Sequence, residues 1–259
     1  MTEKKTGSTT RLQDILHLLA AQREVAVAEL TRRFRVTPMT IRRDLDALAQ
    51  AGKVTRTHGG ALLAAPAVVA FEFDARRQTR LAEKEALARA AVALVAPGMT
   101  VMLDTGTTTL AVARALAGIR KLKVLTTSLA IASALHAREG LELVLLGGQV
   151  NRGSPDLSGP LTVDNLRAFR ADLAFLGADA ADARGLYTSS LAIAQVSRAM
   201  IQSAQRAVLV ADSSKFGRTS FARFAGWDAL DRVVLDAGIA PRELRWLRRA
   251  GPQLTVVKA

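Results

Sequence analysis

The sequence predicts an α/β protein in two parts: a small helical head with a basic hairpin, then a larger domain built on a parallel sheet. Three observations predict it. Residues 36–60 place a capped, arginine-bearing helix directly before a glycine-rich basic segment. From Thr100 onward, short apolar runs alternate with helical patterns, as strand–helix units around a parallel sheet do. At 259 residues, 49% of them apolar, the chain can support a head plus one domain with a substantial core.

In the head, Leu12, Ile15, Leu16 and Leu19 space out one apolar face and predict a first helix. A short second helix near Val27 to Phe34 offers Leu30 and Phe34 to the same core. The third is the most explicit. Thr37 can cap it by accepting an N–H bond, and Pro38 suits the first helical position, where its missing N–H costs nothing. Ile41, Leu45 and Leu48 follow the spacing of a buried stripe. Met39, Arg43 and Asp46 lie opposite, with Thr40 and Arg42 on the flanks, and Gly52 closes the helix. Lys53-Val54-Thr55-Arg56-Thr57-His58-Gly59-Gly60 then reads as a basic hairpin. Three helices and a hairpin over residues 1–62 make a winged helix-turn-helix, whose third helix carries arginines where a major-groove reader needs them. The candidate contacts to double-stranded DNA are Thr37, Met39, Thr40, Arg42 and Arg43 on the helix, with Arg56 and His58 in the wing. A helical domain with merely solvated arginines leaves the ordered arrival of cap, proline, arginines and hairpin unexplained.

Residues 63–80 read as a linker. Ala61 to Ala70 is apolar and contains Pro66, too short a stretch to cross a bilayer and suited to packing against the body or a second subunit. Residues 81–259 form the α/β domain. A helix from Leu81 to Val95 ends at Pro97-Gly98. Buried strands are predicted at Thr100–Leu103, Lys123–Thr126, Glu142–Leu146, Leu173–Leu176, Ala207–Val210 and Arg232–Leu235. Helices are predicted at Leu110–Leu116, Leu129–Ala137, Val163–Phe169, Ile193–Ala204 and Pro241–Arg249.

Ligands of such sheets bind at the C-terminal ends of the strands. There the sequence places Asp104-Thr105-Gly106-Thr107-Thr108-Thr109, Thr126-Thr127-Ser128, Gly147-Gly148, Gly177-Ala178-Asp179 and Asp212-Ser213-Ser214-Lys215. Backbone N–H groups and hydroxyls after Gly106 can hold a phosphate, Asp104 can accept from sugar hydroxyls, and Lys215 supplies a cation. Five such loops on one edge point to a phosphorylated sugar or polyol. The candidate effector contacts are Asp104, Gly106, Thr107, Thr108, Thr109, Ser128, Gly147, Gly148, Asp179 and Lys215.

The run from Val36 to Leu45, with Arg56-Thr57-His58-Gly59-Gly60-Ala61 beyond it, resembles the N-terminal signature of the DeoR family of bacterial transcription regulators. The resemblance extends from about Thr10 to about Val257 and takes in the Asp104–Thr109, Gly147-Gly148, Leu176–Asp179 and Asp212–Gly217 loops in order. It implies a winged helix fused to a sugar-phosphate-sensing domain related to the ribose-phosphate isomerase fold. It also implies an effector pocket lined by Asp104, Gly106, Thr107, Thr108 and Lys215. One departure follows Gly185-Leu186-Tyr187-Thr188. Many members are acidic there, whereas this chain has Ser189-Ser190-Leu191-Ala192-Ile193-Ala194. The resulting expectation is a repressor of sugar or polyol metabolism genes, released from its operator by a phosphorylated sugar and acting as a homodimer or tetramer without a cofactor. The alternative is a sugar-phosphate isomerase-like enzyme, whose proton transfer would call on Asp104, Asp179 or Asp212 as base and on Lys215 to stabilise an enediolate.

Charge and composition bound these readings. The net charge of +13 suits a polyanionic partner. Residues 1–62 hold 11 Lys and Arg against 6 Asp and Glu, and residues 63–259 hold 25 against 17, so the head is about twice as basic per residue. The chain has no cysteine, which excludes disulfides and thiolate chemistry, and His17, His58 and His136 are too scattered for a metal centre. Met1 to Thr10 lacks the apolar core of a signal peptide, and no apolar run approaches a membrane span, so a soluble cytoplasmic protein is expected.

Overall fold

The computed structural model describes residues 11–16, 18–19, 22, 24–64, 73, 76–151 and 154–259. It divides into two compact units, residues 1–75 with 152–154, and residues 76–151 with 155–259. Met1 to Thr10, His17 and most of the predicted linker, including Pro66, lie outside the described residues.

In the first unit, residues 11–16 and 18–19 are helical, followed by β1 (Glu24–Ala26), α1 (Val27–Phe34) and α2 (Pro38–Gln50). The hairpin is β2 (Val54–Arg56) and β3 (Gly60–Leu63). Arg35, in the left-handed region, makes the turn from α1 to α2. The core joins Ile15, Leu19, Leu30, Ile41, Leu45 and Leu48, so the helical spacings of the sequence point inward as expected. β1, too short to leave a pattern, extends the hairpin into an antiparallel sheet of order β1-β3-β2. Gly60 permits that pairing, because a Cβ there would lie 2.0 Å from the Val25 carbonyl oxygen.

The second unit begins with α3 (Leu81–Val92), β4 (Thr100–Leu103), α4 (Thr107–Leu116), β5 (Leu122–Thr126), α5 (Leu129–Leu135) and β6 (Leu141–Leu145). β7 (Gln149–Val150), β8 (Leu157–Ser158), α6 (Pro160–Arg167), β9 (Ala171–Leu176), β10 (Ala180–Asp182), β11 (Gly185–Thr188), α7 (Leu191–Ser203) and β12 (Ala204–Val210) follow. β13 (Ala222–Ala225), β14 (Arg232–Asp236), α8 (Pro241–Arg249) and β15 (Gln253–Val257) complete the unit. Helix α3 ends three residues earlier than expected. Leu94 and Val95 bond to carbonyls three residues back, which tightens the last turn ahead of Pro97.

The main sheet has seven strands in the order β15-β14-β12-β9-β4-β5-β6, every pair parallel. All six predicted strands belong to it. The chain steps outward from β4 through β5 to β6, returns beside β4 as β9, and steps outward the other way. The direction reverses between β4 and β9, and crevices for ligands open at such a reversal. An antiparallel sheet of order β10-β11-β13 lies alongside, unannounced by any sequence signal we used. Phe216, Trp227 and Trp246 pack together within the core, with ring centroids 5.3–6.4 Å apart.

Candidate functional site

The head presents its third helix as the sequence predicts. Thr37 Oγ1 accepts from the Thr40 N–H at 3.2 Å, which fixes where α2 begins. Ile41, Leu45 and Leu48 are buried, while Arg42 and Arg43 are exposed and Met39 keeps 56% of its surface in solvent. Beneath this face, Arg11 holds Asp44 with two hydrogen bonds, Nε to Oδ2 at 2.6 Å and Nη2 to Oδ1 at 3.1 Å. The hydrogen bonding to Asp44 raises the Arg11 pKa, and the pair clamps the first helix to the back of α2. A buried aspartate within an arginine run was the available sign of this clamp. His58 is exposed at the hairpin turn. Arg56 turns back instead, with Nη1 3.4 Å from both the Arg42 carbonyl and Asp46 Oδ1, and so braces the wing against α2.

In the second unit, the five loops lie along one edge, since all follow strands of one parallel sheet. Asp104 leaves β4 at the reversal point, 4% exposed. Its Oδ2 accepts from the Gly177 N–H beyond β9 at 3.1 Å, which bridges the two sides of the crevice. Its Oδ1 is buried and has no hydrogen-bond partner among the described residues. Burial pushes the carboxyl up to about 7. The N–H groups of Thr105 and Gly177 oppose that rise, and the charges of Asp156 and Asp179 add to it. Gly106, at φ +132°, is the N-cap of α4 and brings no side chain to its leading N–H groups. Those groups carry the partial positive charge of the helix N-terminus, next to the end of β4. Thr107 is half-buried and Thr108 buried, whereas Thr109 Oγ1 donates to the Gly106 carbonyl and holds the turn.

The other candidates divide between the site and its supports. Ser128 is buried and its Oγ accepts from the Ile131 N–H as the cap of α5, so its acceptor capacity is partly used locally. Its neighbour Thr127, named in that loop but not among the candidate contacts, is buried and its Oγ1 has no hydrogen-bond partner among the described residues. Gly147 accepts from Thr162 Oγ1 at 2.9 Å, and a Cβ on Gly148 would lie 1.8 Å from that same oxygen. Gly148 thus serves close packing at the sheet edge, whereas at Gly147 only the backbone carbonyl is engaged. Asp179 Oδ2 accepts from Ser189 N, Ser189 Oγ and Thr188 Oγ1 at 2.9–3.2 Å. It fixes the start of the Ser189–Ala194 segment. Asp212 Oδ1 accepts from the Ser214 N–H, and Lys215 follows, half-buried and in no ion pair among the described residues.

Three cations of this edge were not foreseen: Arg76, Arg80 and Lys84. Arg80 Nε lies 3.6 Å from Asp212 Oδ1, and Arg76 Nη1 lies 3.9 Å from Asp179 Oδ1. Lys84 is 5% exposed and donates to the Arg76 and Thr79 carbonyls, the latter at 2.8 Å. Burial lowers its pKa, partly offset by the charge of Asp212. The sequence did carry a signal here. Lys84 shares a helical stripe with Leu87, Ala88 and Ala91, all buried, so a lysine stood where an apolar residue was due.

Two family models match the chain in order: the DeoR-like helix-turn-helix domain over residues 11–67 and the DeoR C terminal sensor domain over residues 79–237. Among curated relatives, the glycerol-3-phosphate regulon repressor of Escherichia coli K12 is 35% identical over 88% of this chain and 91% of its own length. The transcriptional repressor AccR of Agrobacterium fabrum is 36% identical over 88% and 89%. A protein of Escherichia coli O157:H7, provisionally named an aga operon transcriptional repressor, is 34% identical over 98% and 96%. The ribose 5-phosphate isomerase of Methanocaldococcus jannaschii overlaps 51% of this chain and 53% of its own, at 23% identity and a TM-score of 0.37, too loose a likeness to carry an argument. No helix among the described residues is long and apolar enough to cross a membrane. A DNA-reading head and a sensor domain, matched in sequence along one chain with relatives above 30% identity over most of its length, place the protein in the DeoR family of bacterial transcriptional regulators.

Proposed function

We propose that the protein represses genes of sugar or polyol metabolism and is released from its operator by a phosphorylated sugar or polyol bound at the β4–β9 crevice. The head is residues 1–62 and the sensor residues 81–259, joined by residues 63–80. Asp104 carries the proposal. A carboxylate buried at the reversal of a parallel sheet, with one oxygen unpartnered, is costly unless something completes it. A sugar hydroxyl donating to Oδ1 completes it, while Lys215 and the N-terminus of α4 take the phosphate. Gly106, Thr107 and Thr108 line the approach, with Thr109, Ser128, Gly147, Gly148 and Asp179 shaping its walls. The names of the relatives agree with such a ligand, a glycerol phosphate regulon being one of those they repress.

On DNA, Arg42, Arg43, Thr40 and Met39 meet base edges and phosphates, and His58 reaches the backbone from the wing. Arg56 contributes by bracing the wing. A lone head makes few phosphate contacts and binds weakly in physiological salt, so the protein acts as a dimer or tetramer on repeated half-sites. The ligand releases it only in so far as it prefers the arrangement of heads that does not fit the operator.

The raised pKa of Asp104 also suits a general base, the one observation that favours an isomerase-like activity. A thermal-shift screen of sugar phosphates, with the free sugars as controls, tests the first reading. Ligand at a hundred times its Kd stabilises by about 2.7 kcal/mol, a shift of roughly 5–10 °C for a unit this size. A phosphate-dependent hit that also displaces operator DNA supports the regulator, and turnover of the hit favours the enzyme.

A further inference from the structure

Residues 63–259 carry a net +8, a surplus that a ligand crevice does not use. Helix α8 supplies a net +3 of it, with four arginines against one glutamate. At about 100° per residue, Arg242, Arg245, Arg248 and Arg249 fall within about 120° of the helix surface, and all four are exposed. The opposite face turns inward: Leu247 is buried, and Leu244 and Trp246 pack against the core, Trp246 beside Phe216 and Trp227. None of the four arginines makes an ion pair or a side-chain hydrogen bond among the described residues. The glutamate does not neutralise them. Glu243 turns toward Gly217, where a Cβ would lie 2.9 Å from its Oε1. The acids that flank β14 are spent on backbone, Asp231 accepting from the Ala207 N–H and Asp236 from those of Ser213 and Gly238. By contrast, Arg167 of α6 meets Asp164 one turn back at 3.2 Å. In α8, Arg245 has Arg242, Arg248 and Arg249 three and four residues away, and each such pair is repulsive. The helix dipole favours cations in the last turn, which accounts for Arg248 and Arg249, but opposes Arg242 in the first. A stripe that works against its own helix is stabilised by a polyanion.

We infer that the outer face of α8 binds the phosphate backbone of duplex DNA, a second contact in addition to the recognition helix. The inference is independent of what fills the β4–β9 crevice. From Arg242 to Arg249 the stripe is about 10 Å long, the rise of about three successive phosphates along one strand. Guanidinium forks bind phosphate oxygens in pairs, which lysines do not. The head already ties the chain to DNA, so α8 meets a duplex at high effective concentration and needs little affinity of its own. Contacts of this kind add affinity and salt dependence without reading sequence.

The test uses the full chain and a mixed-sequence duplex, followed by fluorescence anisotropy across a salt series. Arg42→Ala with Arg43→Ala disables the head, and the binding left at low salt should remain salt-dependent. Adding Arg242→Gln, Arg245→Gln, Arg248→Gln and Arg249→Gln should abolish it. With the head intact, the same four glutamines should make the log–log salt slope shallower by about 2–3, at 0.9 for each phosphate released. Lysine at the four positions should keep the slope and weaken affinity a few-fold. The urea midpoint by tryptophan fluorescence should hold or rise in the glutamine variant, since like charges are removed, which separates lost binding from lost folding. Glutamine at Arg89, Arg114, Arg138 and Arg206, four exposed arginines scattered over the same unit, serves as the charge-matched control and should retain most of the slope. If the control lowers the slope as much, net charge is the cause and the inference is overturned. It is overturned too if the α8 glutamines leave slope and affinity as in the wild type, or if the head-deficient chain binds no DNA at low salt. Polyglutamate bound by that chain as tightly as DNA would assign the face to an acidic protein instead.

Discussion

Replacing Asp104 by asparagine should make the sensor unit more stable, and by an amount that depends on pH. Asp104 is 4% exposed, and burial raises its carboxyl from 3.8 to about 7. Between those values the folded protein holds a proton that the unfolded chain has released. The contribution is therefore fully present below 3.8, falls as pH rises through the window, and is level above about 7. At about 1.4 kcal/mol per pH unit, the loss comes to about 4 kcal/mol. Asparagine has no charge to desolvate, and its side-chain oxygen still accepts from the Gly177 N–H. The variant should gain about 2–4 kcal/mol on wild type at pH 8 and nothing near pH 4. Urea unfolding followed by tryptophan fluorescence measures this, because both tryptophans lie in the second unit. With a urea slope of about 2 kcal/mol per molar, the midpoint at pH 8 should rise by about 1–2 M. A variant less stable than wild type at pH 8, or a gain that persists unchanged at pH 4, would show that the pocket does not penalise the charge. The same variant should lose the phosphorylated ligand, since stabilising a binding residue commonly costs function.

The other expectations concern the head. Arg43→Ala should abolish specific operator binding in a fluorescence-anisotropy titration while ligand affinity stays within about twofold; loss of both would mean that Arg43 is structural. Thr37→Ala removes the cap of α2 and should cost about 1 kcal/mol in the circular-dichroism melt of the head, and no change would remove the cap from the account. Gly60→Ala forces a Cβ to within 2.0 Å of the Val25 carbonyl and should break the β1–β3 pairing, seen as faster amide exchange at Val25 and Ala61. Operator affinity should also fall steeply with salt, with a log–log slope near −0.9 for each phosphate contacted.

The sequence was most legible where one local pattern decides the structure. Thr37, Pro38 and the Ile41–Leu45–Leu48 stripe set α2 without reference to the rest of the chain, and all six predicted strands belong to the main sheet, though β6, expected to be buried, is an edge strand whose residues are only partly covered. The strands that escaped notice are two to five residues long. Glu24–Ala26 and Ala180–Asp182 carry alanine and acidic residues, poor strand formers that become strands only because a partner lies beside them. At the site, the loops after the strands were visible because glycine, threonine and aspartate mark strand–helix turns. Which of their groups are spent on local bonds was not visible. Thr127 and Ser128 are adjacent buried hydroxyls, one capping a helix at Ser128 and the other, at Thr127, without a hydrogen-bond partner among the described residues. The arginines at positions 76 and 80 escaped because their role comes from carboxylates about 100 and 130 residues away, a proximity that only the fold creates.

The reversal between β4 and β9 also orders events in time. The bond from Gly177 to Asp104 that closes the crevice spans 73 residues of chain, so the slow search for a distant strand must succeed before the crevice exists. The farthest strand pairing in the head joins Glu24 to Leu62, and its helices form from near neighbours. The head also leaves the ribosome before the second unit. Each newly made chain is therefore expected to acquire its recognition helix before the β4–β9 crossing is made.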